Sequence, residues 1–278
     1  MLTIMADFIP KKSLGQHWLH DTATLDAIVE GAGVRAGDAI LEIGPGLGTL
    51  TKRLLARGAH VTAVEFDQTL ADQLSKNVLE DGPIDSKEAS NRGDLTVVQS
   101  DILRFDLTTL PAGFKVVANI PYYLTSNLIR VLCESSNPFS AAAILIQKEV
   151  AERVVAQPGQ MSMLSVSAQY YCQASLGVKV PAALFTPPPK VDSQVLVLHR
   201  RTEPLFKGVD TKQFFRLVKA GFSQKRKTLL NSLSAGLGLS KGQTRTMLAV
   251  AGVAENTRAQ ALSLNDWYTL YTVVYQSA

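Results

Sequence analysis

Five short apolar runs, spaced along the first 150 residues, constrain this chain more than any other feature. They are AILEIG from Ala39, VTAVE from Val61, LTVVQSD from Leu95, FKVVANIPYY from Phe114 and AAAILIQ from Ala141. Runs this short and this uniformly apolar read as strands buried on both faces. Helical spacing falls between the first of them, in TLTKRLLARG, stopped by Gly58, and in DQTLADQLSKNVLE; an earlier helix is expected over residues 22–33 through Leu25, Ile28 and Val29. Strand and helix in alternation predict an α/β architecture with a doubly wound, mostly parallel sheet.

Further along, KEVAERVV and the stretch from Ser162 to Tyr171 read as helices and QVLVLHR as a last strand. PAALFTPPPKVDS is too rich in proline for either regular element, and DGPIDSKEASNRGD (81–94) is polar and turn-forming, an exposed loop with no assigned role. From about residue 205 only helical patterns remain, in FFRLVKAGF, KRKTLLNSL, KGQTRTMLAV and DWYTLYTVVY. Glu203-Pro204 interrupts the pattern, which places one domain over 1–203 and a small all-helical domain over 204–278.

Charge follows the same division. Residues 1–199 carry 16 Lys+Arg against 20 Asp+Glu, whereas 200–278 carry 12 against 4. A tail at +8 behind a body at −4 points to a polyanionic partner, because clustered Lys and Arg release counterions condensed on phosphates. The N-terminus is broken by Asp7 and Pro10 before a signal-peptide core forms, and no apolar run reaches membrane-spanning length. Cys133 and Cys172 match no metal or disulfide spacing and read as buried thiols in a reducing compartment. The expectation is a cytoplasmic monomer with neither metal nor membrane attachment.

The first strand runs into Glu42-Ile43-Gly44-Pro45-Gly46-Leu47-Gly48, ahead of a helix, which is where open α/β sheets bind ligands. Glycines there admit close backbone approach. The dinucleotide fingerprint fails, since its third glycine falls on Thr49, so a nucleoside cofactor is expected in place of a pyrophosphate. Glu65, at the end of the second strand, is placed to accept from a ribose diol. Asp101, at the end of the third, would accept from an adenine amine, and Glu42 is expected near a methionine amine. The group looks like the S-adenosylmethionine site of class I methyltransferases.

The fourth strand ends in Asn119-Ile120-Pro121-Tyr122. An adenine amine is a poor nucleophile because its lone pair is delocalised into the ring. The Asn119 carbonyl and a backbone carbonyl from Ile120 or Pro121 would hold the amine hydrogens and turn that lone pair toward a methyl donor. Tyr122 offers an aromatic face to an extruded base. Phe185, in Phe185-Thr186-Pro187-Pro188-Pro189, is the candidate for a second face, with a hydrophobic plug as its alternative role.

These residues, with Lys12 to Leu19, Gln147 to Val150, Phe185 to Ser193 and Gly221 to Lys227, resemble the ribosomal RNA adenine N6,N6-dimethyltransferases of the small-subunit KsgA type over nearly the whole chain. The resemblance implies a Rossmann-like class I methyltransferase fold with a small helical C-terminal domain. It implies that His17 and Leu19 of the arm touch S-adenosylmethionine together with Gly44, Gly46, Glu65, Asp101 and Asn119. The implied substrate is a pair of adjacent adenosines in a 3′-terminal hairpin loop of 16S ribosomal RNA, within the assembling 30S subunit. Its phosphates would be gripped by a basic helix bearing Lys225, Arg226 and Lys227, supported by Arg216 and Lys219. In the arm, His17 and Trp18 stand where the family usually has Asn and Phe. Two rivals remain: an antibiotic-resistance methyltransferase acting on large-subunit RNA, and an assembly factor whose binding role outweighs its catalysis.

Overall fold

The computed structural model describes residues 10–11, 14–79 and 93–276. Lys12 and Ser13 of the arm, and the expected 81–94 loop up to residue 92, lie outside the described residues. Packing divides the chain into two compact units, residues 1–151 with 172–200, and residues 152–171 with 201–278.

The first unit opens with β1 (Trp18–Leu19) and α1 (Thr22–Gly31), whose N-cap Asp21 accepts from Thr24 N–H at 2.9 Å. It continues through β2 (Ala39–Ile43), α2 (Thr49–Ala56), β3 (His60–Glu65), α3 (Gln68–Leu79), β4 (Leu95–Gln99), β5 (Lys115–Asn119), α4 (Thr125–Glu134) and β6 (Ala141–Gln147). After α5 (Lys148–Val154) and α6 (Met163–Tyr171) come β7 (Cys172–Val180), β8 (Phe185–Thr186) and β9 (Ser193–Arg200). Seven strands form one sheet in the order β4-β3-β2-β5-β6-β9-β7. The first five are parallel; β9 lies antiparallel to β6, and β7 antiparallel to β9. The chain winds outward from β2 to β4, then returns to the other side of β2 with β5. The carboxyl ends of β2 and β5 therefore flank the crevice in which doubly wound sheets bind ligands. Parallel strands covered on both faces explain the uniform apolarity of the central runs: from Ala141 to Ile146 every residue of β6 is buried.

Beyond the short arm strand β1, two elements carry no assignment from sequence. In β7 the side chains are mostly exposed and the register slips between Leu176 and Lys179, so an edge strand with a bulge hides the alternation that would betray it. Helix α4 directly follows the Tyr122–Leu124 turn, where the functional motif masks its start. The proline-rich segment is not wholly irregular either, since Phe185–Thr186 pairs antiparallel with Trp18–Leu19 and holds the arm. Cys133 and Cys172 are buried and form no disulfide.

In the second unit, α7 (Thr211–Phe222), α8 (Leu229–Leu237), α9 (Lys241–Val250) and α10 (Leu264–Tyr275) start at Asp210, Thr228, Ser240 and Ser263, the last two with reciprocal capping boxes. A sequence cut at residue 203 leaves 152–171 with the sheet. In the structure that segment packs with the helices, because α6 buries Val166 and Tyr170 in one cluster with Phe214, Phe215 and Trp267. Gly221 has a packing reason: a Cβ there would meet the Trp267 ring at 2.3 Å, so α7 and α10 approach this closely only over glycine. No helix of the described residues is long and apolar enough to cross a membrane.

Candidate functional site

A cavity of about 400 Å³ opens at the carboxyl ends of β2, β3 and β5, within the first unit. That volume suits a small organic ligand. Its wall includes His17, Leu19, Glu42, Gly44, Gly46, Glu65, Asp101, Asn119, Pro121 and Tyr122, so ten of the eleven residues placed at the cofactor and acceptor sites from sequence meet in one hollow. Phe185 is the exception, and its expected role is corrected. Only 3% exposed, it is packed into the core cluster that holds Leu19, Leu25 and Val180 and is absent from the cavity wall. It is the hydrophobic plug.

The turn after β2 sets the floor. Gly44 and Gly46 have φ of +66° and +57°, a region that side chains disfavour, and the Trp18 ring sits over Gly46 at 3.4 Å from where a Cβ would be. Trp18 also packs with Leu47 and Leu70, so the larger indole is accommodated as a roof.

Glu42 is 1% exposed, and neither of its carboxyl oxygens has a hydrogen-bond partner among the described residues. Burial pushes its carboxyl up to about 8; the Thr51 hydroxyl tempers that rise without hydrogen-bond geometry to either oxygen, and Glu65 adds to it. A buried acid facing a cavity with nothing to pair with is incomplete until a cation or donor arrives. Glu65 is satisfied differently. It accepts from Gly46 N–H at 3.1 Å and Asp67 N–H at 2.9 Å, which orients both oxygens; burial raises its carboxyl, and these backbone donors work against the rise. Asp101 accepts from Leu103 N–H at 3.0 Å through one oxygen. Its other oxygen lies 3.8 Å from the exposed guanidinium of Arg104.

At the acceptor end, the Asn119 side-chain Nδ2 donates to the His17 backbone carbonyl at 3.3 Å. That contact decides the amide's orientation: Oδ1 is left free to accept, with no partner among the described residues. The Pro121 carbonyl is committed to Leu124 N–H at 3.1 Å, whereas the Ile120 carbonyl takes no hydrogen bond among the described residues. Of the two carbonyls left open by sequence, Ile120 is thus the one available. Tyr122 is half-buried, its hydroxyl 2.7 Å from the fully buried Ser193 Oγ, and its ring stacks toward His17 at 6.0 Å between centroids. Tyr122 thus combines a tethered hydroxyl with the ring face expected from sequence.

The arm is held by contacts that sequence did not reveal. His17 Nδ1 must be protonated, because it donates to the Pro187 carbonyl at 2.7 Å. Lys11 Nζ reaches Asp67 at 2.7 Å, and the Gln16 side chain donates to the same carboxylate at 3.5 Å. Asp67 also accepts from Thr69 N–H at the start of α3. Burial would raise the Asp67 carboxyl, but Lys11 and these donors prevail and hold it below its ordinary value. Two aromatic residues on the cavity wall were also missed, Phe66 and Tyr123. Their signal was position: each directly follows a residue already singled out.

The basic cluster lies in the second unit and needs one correction. Lys225, Arg226 and Lys227 sit in the exposed connection between α7 and α8, not on a helix; the helix begins only at Leu229, after Thr228. Arg216 and Lys219 are on α7 and, with Lys212, share its exposed face at three- and four-residue spacing. None of these six has an ion-pair partner among the described residues. No group of three potential metal ligands occurs among the described residues.

A family model described as ribosomal RNA adenine dimethylase matches residues 8–276. The ribosomal RNA small subunit methyltransferase A of Dehalococcoides mccartyi is 36% identical over 263 residues, covering 94% of this chain and 87% of its own. Among solved structures, a dimethyladenosine transferase from Plasmodium falciparum superimposes with a TM-score of 0.73 at 26% identity, over 91% of this chain and 96% of its own. The 23S rRNA methyltransferase ErmE gives 0.71 at 28% identity, over 92% and 98%.

Proposed function

The chain belongs to the family of ribosomal RNA adenine dimethylases, and on that premise we propose that it dimethylates N6 of two adjacent adenosines in a 3′-terminal hairpin loop of 16S ribosomal RNA. It is an S-adenosylmethionine-dependent methyltransferase. It acts in the cytoplasm, as a monomer, on a precursor of the 30S subunit. Support for the small-subunit assignment comes from relatives such as that of Dehalococcoides mccartyi, whose identity to this chain exceeds that of the large-subunit enzyme ErmE. The observation that carries the chemistry is the fixed Asn119 amide on the cavity wall, its Nδ2 committed to His17 and its Oδ1 left to accept, next to the free Ile120 carbonyl.

The residues fit the cofactor. The unpartnered oxygens of Glu42 match an ammonium group, the turn over Gly44 and Gly46 leaves room for backbone approach, and Glu65 is pre-oriented for a ribose diol. Asp101 and Phe66 line the same cavity and would bound the adenine, and Leu19 and His17 close it from the arm. When bound, S-adenosylmethionine supplies an electrophilic methyl group on a sulfonium that is already a good leaving group. The protein's share is positioning and local electrostatics, with no strong base. Asn119 Oδ1 and the Ile120 carbonyl accept the hydrogens of the adenine amine and point its lone pair inward. Tyr122, its hydroxyl pinned by Ser193, holds the base by its face. The nitrogen gains a methyl group and sheds one proton to water. Phosphates of the RNA are taken by Lys225, Arg226 and Lys227 with Arg216 and Lys219.

The test is to incubate the purified protein and labelled S-adenosylmethionine with unmethylated small-subunit particles and, in a parallel reaction, with unmethylated large-subunit particles, then analyse nucleosides by mass. Two N6,N6-dimethyladenosines per 16S molecule are expected. Label confined to 23S RNA would favour the large-subunit reading, and binding of particles without label would leave only an assembly role.

A further inference from the structure

Six large hydrophobic side chains stand exposed among the described residues, and the two aromatic ones, Phe66 at 57% and Tyr123 at 62%, both line the cavity. Phe66 follows Glu65 and belongs to the cofactor end. Tyr123 lies at the other end, directly after the acceptor motif, and nothing derived so far uses it. Its backbone is fixed within the tight turn Tyr122–Leu124: Pro121 accepts from Leu124 N–H at 3.1 Å, and the buried Thr125 hydroxyl donates to the Tyr122 carbonyl at 3.0 Å. The ring is braced on one side by the arm, where a Cβ built on Gly15 would come 3.7 Å from its Cδ1 and Cε1. Elsewhere it is open, with no ring partner and no hydrogen bond on its hydroxyl among the described residues. Consecutive tyrosines thus behave oppositely. Tyr122 is tied inward through Ser193, and Tyr123 is presented outward on a rigid turn at the cavity rim.

Extruding one base from a strand leaves its neighbour with an uncovered π face, and a rigid aromatic ring at the pocket mouth is the side chain that re-covers it. We propose that Tyr123 is a stacking platform for the RNA base adjacent to the one held at Asn119 and Tyr122, a single-stranded purine that is the second adenosine of the pair. This rests on the acceptor-site reading given above. A base–aromatic stack of this kind is worth roughly tenfold to a hundredfold in affinity. Because the neighbouring base is not the reacting one, the gain falls on RNA binding and leaves the transfer step almost unchanged.

The test compares Tyr123→Phe, Tyr123→Leu and the wild type on unmethylated small-subunit particles. Leucine preserves an apolar contact on Gly15 and removes the stacking face. Tyr123→Leu should raise KM for the particle about tenfold, with kcat, S-adenosylmethionine affinity and melting temperature unchanged, and Tyr123→Phe should restore the wild-type KM. Wild-type kinetics in Tyr123→Leu would overturn the proposal, as would a loss of cofactor affinity or of melting temperature, which would make the ring a cover for the arm. The wild-type control separates the two readings: no methylation of adenosine by it refutes the acceptor site itself, whereas normal methylation with indifference to Tyr123→Leu refutes the platform alone.

Discussion

Glu42 makes the affinity for S-adenosylmethionine depend on pH in a way that can be worked from its surroundings. With its carboxyl pushed up to about 8, the group is roughly nine-tenths protonated at pH 7 in the empty site. Pairing with the ligand's ammonium requires the carboxylate, so binding at pH 7 must expel a proton at a cost of about tenfold in Kd. Each further unit of acidification costs another factor of about ten. Above pH 8 the ligand's own ammonium, of ordinary pKa about 7.7–8.0, begins to deprotonate, so the affinity should peak near pH 8. Calorimetric titrations at pH 6, 7 and 8, each in two buffers of different ionisation enthalpy, read both the slope and the proton released. In Glu42→Gln the acid-side slope should vanish and the affinity at pH 8 should fall about a hundredfold. The stability of the empty protein moves the opposite way. The folded-state pKa is raised above the ordinary 4.5, so this group's contribution is fully present below pH 4.5 and is lost as pH rises through 8, by roughly 5 kcal/mol at most. Glu42→Gln should therefore raise the melting temperature of the empty protein at pH 8 more than at pH 5. An affinity flat from pH 6 to 8 with no proton released would refute the reasoning.

Asn119→Ala removes the oriented acceptor and should lower methyl transfer at least a hundredfold while cofactor affinity stays within about threefold; near-normal turnover would refute the acceptor assignment. Ser193→Ala unpins the Tyr122 hydroxyl and should lower kcat about tenfold, no further when combined with Tyr122→Phe, since both break one contact; additive losses would show the two residues acting separately. Reversing the charges of Lys225, Arg226 and Lys227 together should weaken particle binding and reduce its salt slope by about 2 to 3. An unchanged slope between 50 and 200 mM salt, roughly the range in which such contacts are read, would move the phosphate contacts elsewhere.

What sequence made legible divides by the range of the interaction. The sheet, its glycine turn and the acids at the strand ends follow from local spacing, because a parallel α/β fold delivers each strand's carboxyl end to one edge whatever the connecting segments do. Hence Glu42, Gly44, Gly46, Glu65, Asp101 and Asn119 could be placed together before any coordinates. Phe185 could not, because its role depends on a two-residue pairing with an arm 166 positions earlier, Leu19 against Phe185, and no periodicity reports a partner so distant. The Lys225–Lys227 turn was misread for a different reason. KRKTLLNSL has helical apolar spacing, but Thr228 takes the N-cap position and leaves the three cations ahead of the first turn.

The arm shows why the cofactor and acceptor ends of the cavity should not be treated as independent. Its His17 carbonyl orients the Asn119 amide, and its His17 ring binds the Pro187 carbonyl and stacks toward Tyr122. Two residues on, the Leu19 carbonyl accepts from the Thr49 hydroxyl at 3.1 Å, at the start of the helix that follows the glycine turn. Lys11 and Gln16 fasten the same segment to Asp67, whose own N–H donates to Glu65. One stretch of backbone is thus bonded to a residue that faces the amine and linked through a single residue to one that faces the ribose. Contacts shared in this way couple substitutions non-additively. A change at Asp67, far in sequence from Asn119, should register in methyl transfer as well as in cofactor affinity, because loosening the arm also frees the Asn119 amide to turn.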